Sequence, residues 1–474
     1  MGERAGVAAE LVEDGPRTWG DLLAEGRLPR FALICLGVWL NAADSLVTST
    51  IMPSVGRELG GLSYFSWATA GYLVGAILAG ASAGRLSELF GLRRATTLAG
   101  LVMVAGCVMS AAAPDVGLFL VGRLVQGLGS GWISGFAMVA IALLFPERHL
   151  ARVFASVSGV WGVATLIGPL IGGVFAIGGH WREVFWFFAV QSLAFSAAAP
   201  VLLRGAARAG GGPGVPWRQL AVLGLGVGAV ALADLMRSPV WAAGLIVLGV
   251  ALLGLVLWID GRARVRLLPH RAGDLSTVCG SGYAAMFLLT AASMGFAIYI
   301  PPIMQTLAGM SPLWAGYLIG AESLAWTLAA FQVASATGAW DARWVRIGAL
   351  SVPASLILLS WATPAVSILW IALGGALLGA AFGWSWSLMS RRLLAALSDE
   401  DRAIGSSAIT AVRQTGAAAG AAISGAAANL AGFSSGLTPA SAKGSALWVF
   451  AAVIPVGVAG VWAAFRFTGR AERA

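Results

Sequence analysis

The sequence predicts an all-α polytopic membrane protein of fourteen spanning helices, on three observations. Hydrophobic residues make up 58 % of the 474 and charged residues 11 %, with a mean hydropathy of +0.84, well outside the range of soluble domains. Apolar runs of about twenty residues, the length needed to cross a bilayer core, recur from end to end. Basic residues are crowded into alternate loops between these runs, as they are when such loops lie on the inner side.

Residues 1–30 are polar and mixed in charge, without the pattern of a cleavable signal peptide. Trp19, Leu22, Leu23 and Leu28 suit a short helix lying on the membrane surface. Apolar runs at 31–53, 63–83, 95–113, 117–145, 151–178 and 183–203 predict a first six-helix bundle over 31–203. The segment 204–274 begins as a Gly/Pro/Arg-rich linker, RGAARAGGGPGVPWR (Arg204 to Arg218). It continues with two additional spans at 219–236 and 240–259 and a basic loop, DGRARVRLLPHRAGD (Asp260 to Asp274). Runs at 275–301, 312–335, 345–362, 365–390, 403–432 and 444–467 predict a second six-helix bundle over 275–467, followed by a tail at 468–474.

With the N-terminus inside, the outer loops hold only Arg57, Arg182, Arg237 and Lys443, and Arg123 and Arg413 fall within runs. Every other basic residue lies in an inner loop or tail, so both termini are expected to be cytoplasmic. Removing the two central runs together would leave the sidedness unchanged; their length and apolarity argue that they cross. The net charge of +9 is spread through these loops rather than gathered on one face, which excludes nucleic acid as a partner. Cys35, Cys107 and Cys279 lie in three different runs and read as small buried apolar residues, not as a disulfide framework. A faint internal repeat pairs Gly127, Gly129, Gly131 and Trp132 with Gly375, Gly379, Gly383 and Trp384, as in a transporter built of two parallel halves.

A charge inside the membrane is costly and usually faces a cavity and a partner. Asp44 and Arg123 each lie about 20 Å from the inner surface at 1.5 Å per residue. Glu322 and Arg413 each lie about 15 Å from a surface. Each half therefore brings one carboxylate and one arginine near the midplane. Burial raises a carboxylate's hold on its proton and a neighbouring arginine lowers it, so these residues suit proton coupling; a fixed ion pair that locks helices is the alternative. Among the aromatics in spans, Trp161, Phe296, Tyr299, Trp326, Phe382, Trp384 and Trp386 are candidates for an apolar cavity wall or for plain packing. Gln126 and Gln414 are candidate polar groups of the same cavity.

Several motifs resemble those of the major facilitator superfamily, and in particular its fourteen-helix branch of drug:proton antiporters. GRLSELFGLRR, from Gly84 to Arg94, is similar to the G-x-L-(A/S)-D-x-x-G-(R/K)-(R/K) loop between the second and third helices. It carries Gly84, Gly91, Arg93 and Arg94, with Glu88 where the family has Asp. Asp44 to Pro53 (DSLVTSTIMP) is similar to D-x-T-I-V-N-V-A-L-P, and Trp67 with Tyr72 to W-x-x-x-x-Y. Arg123 to Gly127 matches R-x-x-Q-G, Trp181-Arg182 the W-R before the sixth helix, and Arg413, Gln414, Gly416 and Gly420 R-Q-x-G-x-x-x-G. GVWGVATLIGPLIGG holds Gly159, Gly162, Gly168, Pro169, Gly172 and Gly173 and resembles the antiporter signature. Its glycines allow close packing and its proline removes a backbone donor.

The resemblance implies a proton-coupled exporter of small amphiphilic compounds, working by alternating access as a monomer in the bacterial inner (cytoplasmic) membrane. Its partners would be the lipid bilayer, a small-molecule substrate and protons, without a cofactor. Glu88 is expected to pair with Arg93 and Arg94 and to face a helix N-terminus near Ile404, latching one state. A dedicated exporter or importer of one metabolite would share the same fold. No G-x-x-x-x-G-K-(S/T) phosphate loop occurs, which argues against an ATP-driven pump. His149, His180 and His270 are scattered, and neither H-E-x-x-H nor G-x-S-x-G occurs, which argues against a membrane enzyme. A non-transporting sensor would gain nothing from intramembrane charges.

Overall fold

A computed structural model describes residues 27–59, 65–177, 179–205, 214–233, 236, 238–310, 312–433 and 438–471. Trp19, Leu22, Leu23, most of the 204–218 linker, Asp234, Arg237 and the last residues of the tail lie outside the described residues. Among the described residues there are fifteen helices and no strand. The first six are α1 (Arg27–Leu59), α2 (Phe65–Phe90), α3 (Leu92–Ala111), α4 (Val116–Leu144), α5 (Glu147–Ile177) and α6 (Trp181–Leu202). Then come α7 (Trp217–Ala233) and α8 (Pro239–Arg262). The remainder are α9 (Val278–Ala308), α10 (Pro312–Gln332), α11 (Ala339–Ala362), α12 (Ile368–Ala395), α13 (Arg402–Leu430), α14 (Pro439–Ala451) and α15 (Ile454–Ala471).

Eleven candidate spans among the described residues are long and apolar enough to cross a membrane, with α14 and α15 counted in one of them. The 17-residue α7 falls outside that set, as do α10 and α13, the helices that carry Glu322 and Arg413. Small and polar residues dominate α13, and most of its length is buried against other helices, so it needs less apolar surface than a lipid-facing span.

Helices overrun the apolar runs where polar ends continue the hydrogen-bond ladder. The stretch 84–94 is the clearest case. It is helical through Phe90, and only Gly91, at φ 76°, breaks the ladder before α3 begins at Leu92. That left-handed backbone favours glycine. The last run is divided in two, and the second piece starts at Ile454 with Pro455 in its first turn, where the missing N–H costs nothing.

α1 to α6 pack mainly on one another, with α2 and α3 against α4, α3 against α6 and α1 against α5. α9 to α15 form a second group in which α10 and α11 pack on α12, and α9 on α13 and α15. The groups meet along two seams, α13 against α2 and α4, and α5 against α10 and α12. α7 and α8 pack on each other as a hairpin beside the first seam, touching α2 and α13.

Glycines permit the closest approaches. A Cβ at Gly127 of α4 would collide with the carbonyl oxygen of Tyr72 on α2. Gly127→Ala is expected to force the helices apart and to cost about 1–3 kcal/mol, read as a lowered thermal midpoint of the purified protein in detergent.

Candidate functional site

α1 and α4 bring Asp44 and Arg123 together in the interior of the first bundle. Arg123 Nη1 donates to Asp44 Oδ2 at 3.0 Å, and the two side chains are 2 % and 0 % exposed. Gln126, one turn further along α4, donates from Nε2 to Asp44 Oδ1 at 3.2 Å. Its Oε1 accepts from Arg123 Nη1 at 3.0 Å and from Ser110 Oγ at 2.9 Å. Both carboxylate oxygens are thus engaged, one by a charge. On the other side of Arg123 lies the Tyr72 ring, its centroid 4.5 Å from the guanidinium carbon. The Tyr72 hydroxyl shares a hydrogen bond with Ser130 Oγ at 2.7 Å and accepts from Ser45 Oγ at 3.4 Å; Asn41 Nδ2 donates to Ser130. Arg123 Nε has no hydrogen-bond partner among the described residues.

The similar depth of Asp44 and Arg123 is therefore a contact, and Gln126 belongs to it rather than to a cavity between the halves. Cys107 accepts from Gln126 Nε2 at 3.2 Å, which makes it more than a small apolar filler. Asn41, Ser45 and Ser130 are not among the sequence candidates. Their signal is polarity inside otherwise apolar runs, Asn41 and Ser45 within one turn of Asp44 on α1 and Ser130 one turn past Gln126 on α4.

The second half does not repeat this arrangement. Glu322 on α10 is half-buried and has no ion pair among the described residues. Arg413 on α13 reaches across the seam instead, its guanidinium carbon 5.5 Å from the centroid of Trp161 on α5. One turn past Glu322, Trp326 stacks on Phe382 of α12 at 5.0 Å and donates from Nε1 to Ser158 Oγ of α5 at 3.3 Å. Trp326 with Phe382, and Trp161 with Arg413, thus lie one turn apart along α5 where the two halves meet, with Glu322 one turn from Trp326 and its backbone against Gly379 of α12.

The other cavity candidates do not join them. Tyr299 packs on Phe433 beyond the end of α13, and Trp384 lies beside Trp344 and donates to Gln332 Oε1 at 2.9 Å. Gln414 is buried against Gly80 on the other seam, its Oε1 without a hydrogen-bond partner among the described residues. Phe296 is fully buried against Gly375, as a packing residue.

The glycines of α5 serve its docking. A Cβ at Gly162 would collide with Thr327 of α10, one at Gly159 would stand 3.3 Å from the Phe331 ring, and one at Gly168 would stand 2.9 Å from Leu46 of α1. Gly172 is buried. Pro169 and Gly173 lie within α5, but their surroundings, like those of Pro53 and Trp67, lie outside the described residues.

Beside the link between α2 and α3, the first seam is closed. Gly84 N–H donates to Ser407 Oγ at 3.0 Å, and a Cβ on Gly84 would stand 2.6 Å from Ile404 Cα. Arg402 Nε donates to the Ala142 carbonyl at 3.1 Å. The expected pairing of Glu88 with Arg93 and Arg94 is not what forms. Because α2 continues through this stretch, Glu88 lies one turn from Arg85 and pairs with it at 2.9 Å, while Arg93 and Arg94 are exposed. Arg85 also donates from Nε to the Arg266 carbonyl at 2.8 Å, tying α2 to the loop after α8.

On the opposite side, Glu58 at the end of α1 accepts from Trp181 Nε1 at 2.5 Å and from Arg182, which also donates to the Ala113 carbonyl at 2.9 Å. The Trp181-Arg182 pair thus clasps the end of α1 at this end of the bundle. The Trp181 hydrogen bond, and then that of Arg182, hold the Glu58 carboxyl below its ordinary value. A lowered value means that the clasp stabilises the fold above the ordinary carboxylate range and is lost as pH falls through the folded-state value. Trp181→Phe keeps the packing on Phe119 and Phe185 and is expected to shift the acid-side fall of the thermal midpoint to higher pH. Among the described residues no group of three His, Cys, Asp or Glu is placed to hold a metal.

Comparison with known proteins agrees with this architecture. Residues 34–259 match the family model described as Major Facilitator Superfamily. A Mycobacterium tuberculosis H37Rv protein named a probable multidrug-efflux transporter is 30 % identical, over 96 % of this chain and 98 % of its own. An uncharacterized MFS-type transporter of the same organism is 27 % identical, over 84 % of this chain and 58 % of its own. Among solved structures, a human organic anion transporter superposes with a TM-score of 0.63 at 14 % identity, covering 92 % of this chain and 98 % of that one. A proton:xylose symporter does so with a TM-score of 0.63 at 19 % identity, covering 92 % and 94 %; at these identities the likeness is one of fold. With a full-length relative at this level and the same helical architecture, the chain is a multi-pass membrane protein that belongs to the major facilitator superfamily.

Proposed function

We propose that this protein exports small amphiphilic or lipophilic compounds against proton entry, by alternating access between two six-helix bundles. In this reading fourteen helices span the bacterial inner membrane, α14 and α15 together forming the last, with both termini cytoplasmic and the monomer as the working unit. The observation that carries it is the fully buried Asp44–Arg123–Gln126 cluster. A carboxylate whose one charged partner among the described residues is an arginine can take up a proton when that contact loosens and release it when the contact re-forms. Glu322, Trp326, Phe382, Trp161 and Arg413 would form the substrate-facing wall, offering stacking surfaces and one carboxylate to a flat or cationic compound. The shut inner seam at Gly84, Ser407 and Ile404 supports an outward-facing state. Proton and substrate must each bind the two states differently for coupling to arise. The relative named for multidrug efflux supports export over import.

The test is substrate-evoked proton release from acidified inside-out vesicles, across lipophilic cations, neutral compounds and anions. Dissipation of the gradient by one class supports the reading. Compound movement without proton movement would sink the coupling.

A further inference from the structure

The hairpin α7–α8 leaves a slot between α8 and the second bundle. It has a volume of about 530 Å³ and an almost wholly apolar lining that includes Leu253, Gly254 and Leu257 of α8, Phe287 of α9, and Thr415 and Ala419 of α13. Along α9 the lining runs from Gly280 to Ala291, about 16 Å at the helical rise. That is close to the depth of one leaflet, half of a roughly 30 Å core. The slot adjoins a second cavity of about 400 Å³ toward the inner surface, and Leu257, Leu268, Ala272 and Gly273 line both.

The loop that rims this mouth, Asp260 to Asp274, carries four arginines against two aspartates. Arg266 and Arg271 line the mouth together with Asp260 and Asp274, and Arg264 lines a neighbouring cavity two residues back along the same loop. The nearby carboxylates are already engaged. Asp260 accepts from the amides of Leu267 and Leu268 at 2.6 and 3.0 Å and from Gln219 at 3.3 Å. Asp274 is paired with Arg271 at 2.6 Å and holds the Ser276 amide, which with the Ser276 side chain keeps its carboxyl down at about 2. Asp401 accepts from the His270 amide at 3.0 Å. Arg264 and Arg266 have no ion pair among the described residues; Arg266 donates from Nε to the Ala263 carbonyl at 3.4 Å and lies in the field of Asp260, which leaves Arg264 and the outer nitrogens of Arg266 open to a ligand at the mouth.

We infer that this slot is a binding site for an anionic phospholipid of the inner leaflet. One acyl chain lies between α8 and α13, and the headgroup phosphate sits against Arg264 and Arg266. The occupant follows from the two chemistries that meet here, an apolar channel of leaflet depth and a cationic mouth at the membrane surface. It also gives the hairpin a task. α13 has Thr415 and Ala419 on the slot and Ile404, Ser407 and Gln414 on the seam with α2. A lipid in the slot braces the helix whose other side closes the inner gate.

The experiment is native mass spectrometry of the full-length protein in detergent, titrated separately with dioleoyl phosphatidylglycerol and dioleoyl phosphatidylcholine. Phosphatidylglycerol should be retained with a preference of roughly fivefold for each arginine contributing. Arg264→Gln with Arg266→Gln should bring it down to the phosphatidylcholine level. Gly254→Trp should reduce retention of both lipids, and Gly254→Leu should do so to a smaller extent; a Cβ at Gly254 meets nothing within 4 Å, so these variants are expected to fold. Equal retention of the two lipids by the wild type, or unchanged retention in either set of variants, means an unspecific lipid belt and overturns the proposal. Displacement of bound phosphatidylglycerol by tetraphenylphosphonium would reassign the slot to transported compounds and overturn it too.

Discussion

Asp44→Asn is expected to abolish substrate-evoked proton release, with a fall of at least about tenfold in rate, since it removes the one carboxylate of the buried cluster among the described residues. The amide keeps the shape and one acceptor for Arg123 and Gln126, but it leaves the guanidinium as an uncompensated buried charge. Breaking such a pair costs about 3–5 kcal/mol, so the single variant is also expected to lose thermal stability. The two effects separate in the double variant Asp44→Asn with Arg123→Met. Removing the orphaned charge should restore most of the thermal midpoint and none of the proton release. If the pair were only a lock between α1 and α4, the double variant would recover transport together with stability. Proton release and thermal midpoint, measured on the same preparations, decide between the two.

Gly84→Val is the second large effect. With the Cβ of residue 84 only 2.6 Å from Ile404 Cα and close to the Ser407 hydroxyl, a branched side chain cannot fit while the inner seam is shut. The expected result is a shift toward an inward-open population and loss of export, because a transporter held on one side cannot cycle. The readout is maleimide labelling of Thr410→Cys from the inner face. Thr410 is 4 % exposed, so labelling should be slow in the parent and rise at least about tenfold when the seam opens, a shift of roughly 1.4 kcal/mol in population. Unchanged labelling with intact export would remove Gly84 from the gate.

The helices were legible in the sequence because a bilayer demands a long apolar segment wherever the chain crosses. Asp44 with Arg123 was legible for a related reason, since two charges at one depth in neighbouring spans have strong cause to meet. The same logic failed for Glu322 and Arg413. Depth fixes a residue along the membrane normal but not its bearing around the helix axis, and Arg413 faces Trp161 across the seam. Glu88 departs from its expected pairing because the charged stretch, which its glycines and charges mark as a loop, is helical through Phe90. Once α2 is seen to reach Phe90, Arg85 becomes its neighbour at i−3 and the distant arginines do not. The split between α14 and α15 needed only Pro455, which was visible, but an apolar run long enough to span conceals its own interruption.

The contact of Arg413 with Trp161 has a kinetic meaning. In the proposed cycle Asp44, Arg123 and Tyr72 all belong to the first bundle, so swinging the halves does not by itself part them, and their contact loosens only by movement within that bundle. Arg413 belongs to one half and Trp161 to the other, and every swing must part them. A cation held over an aromatic face is worth about 0.5–2 kcal/mol, enough to slow the return stroke without arresting it. In that cycle the tempo of turnover would depend in part on a ring and an arginine that take no part in holding the proton.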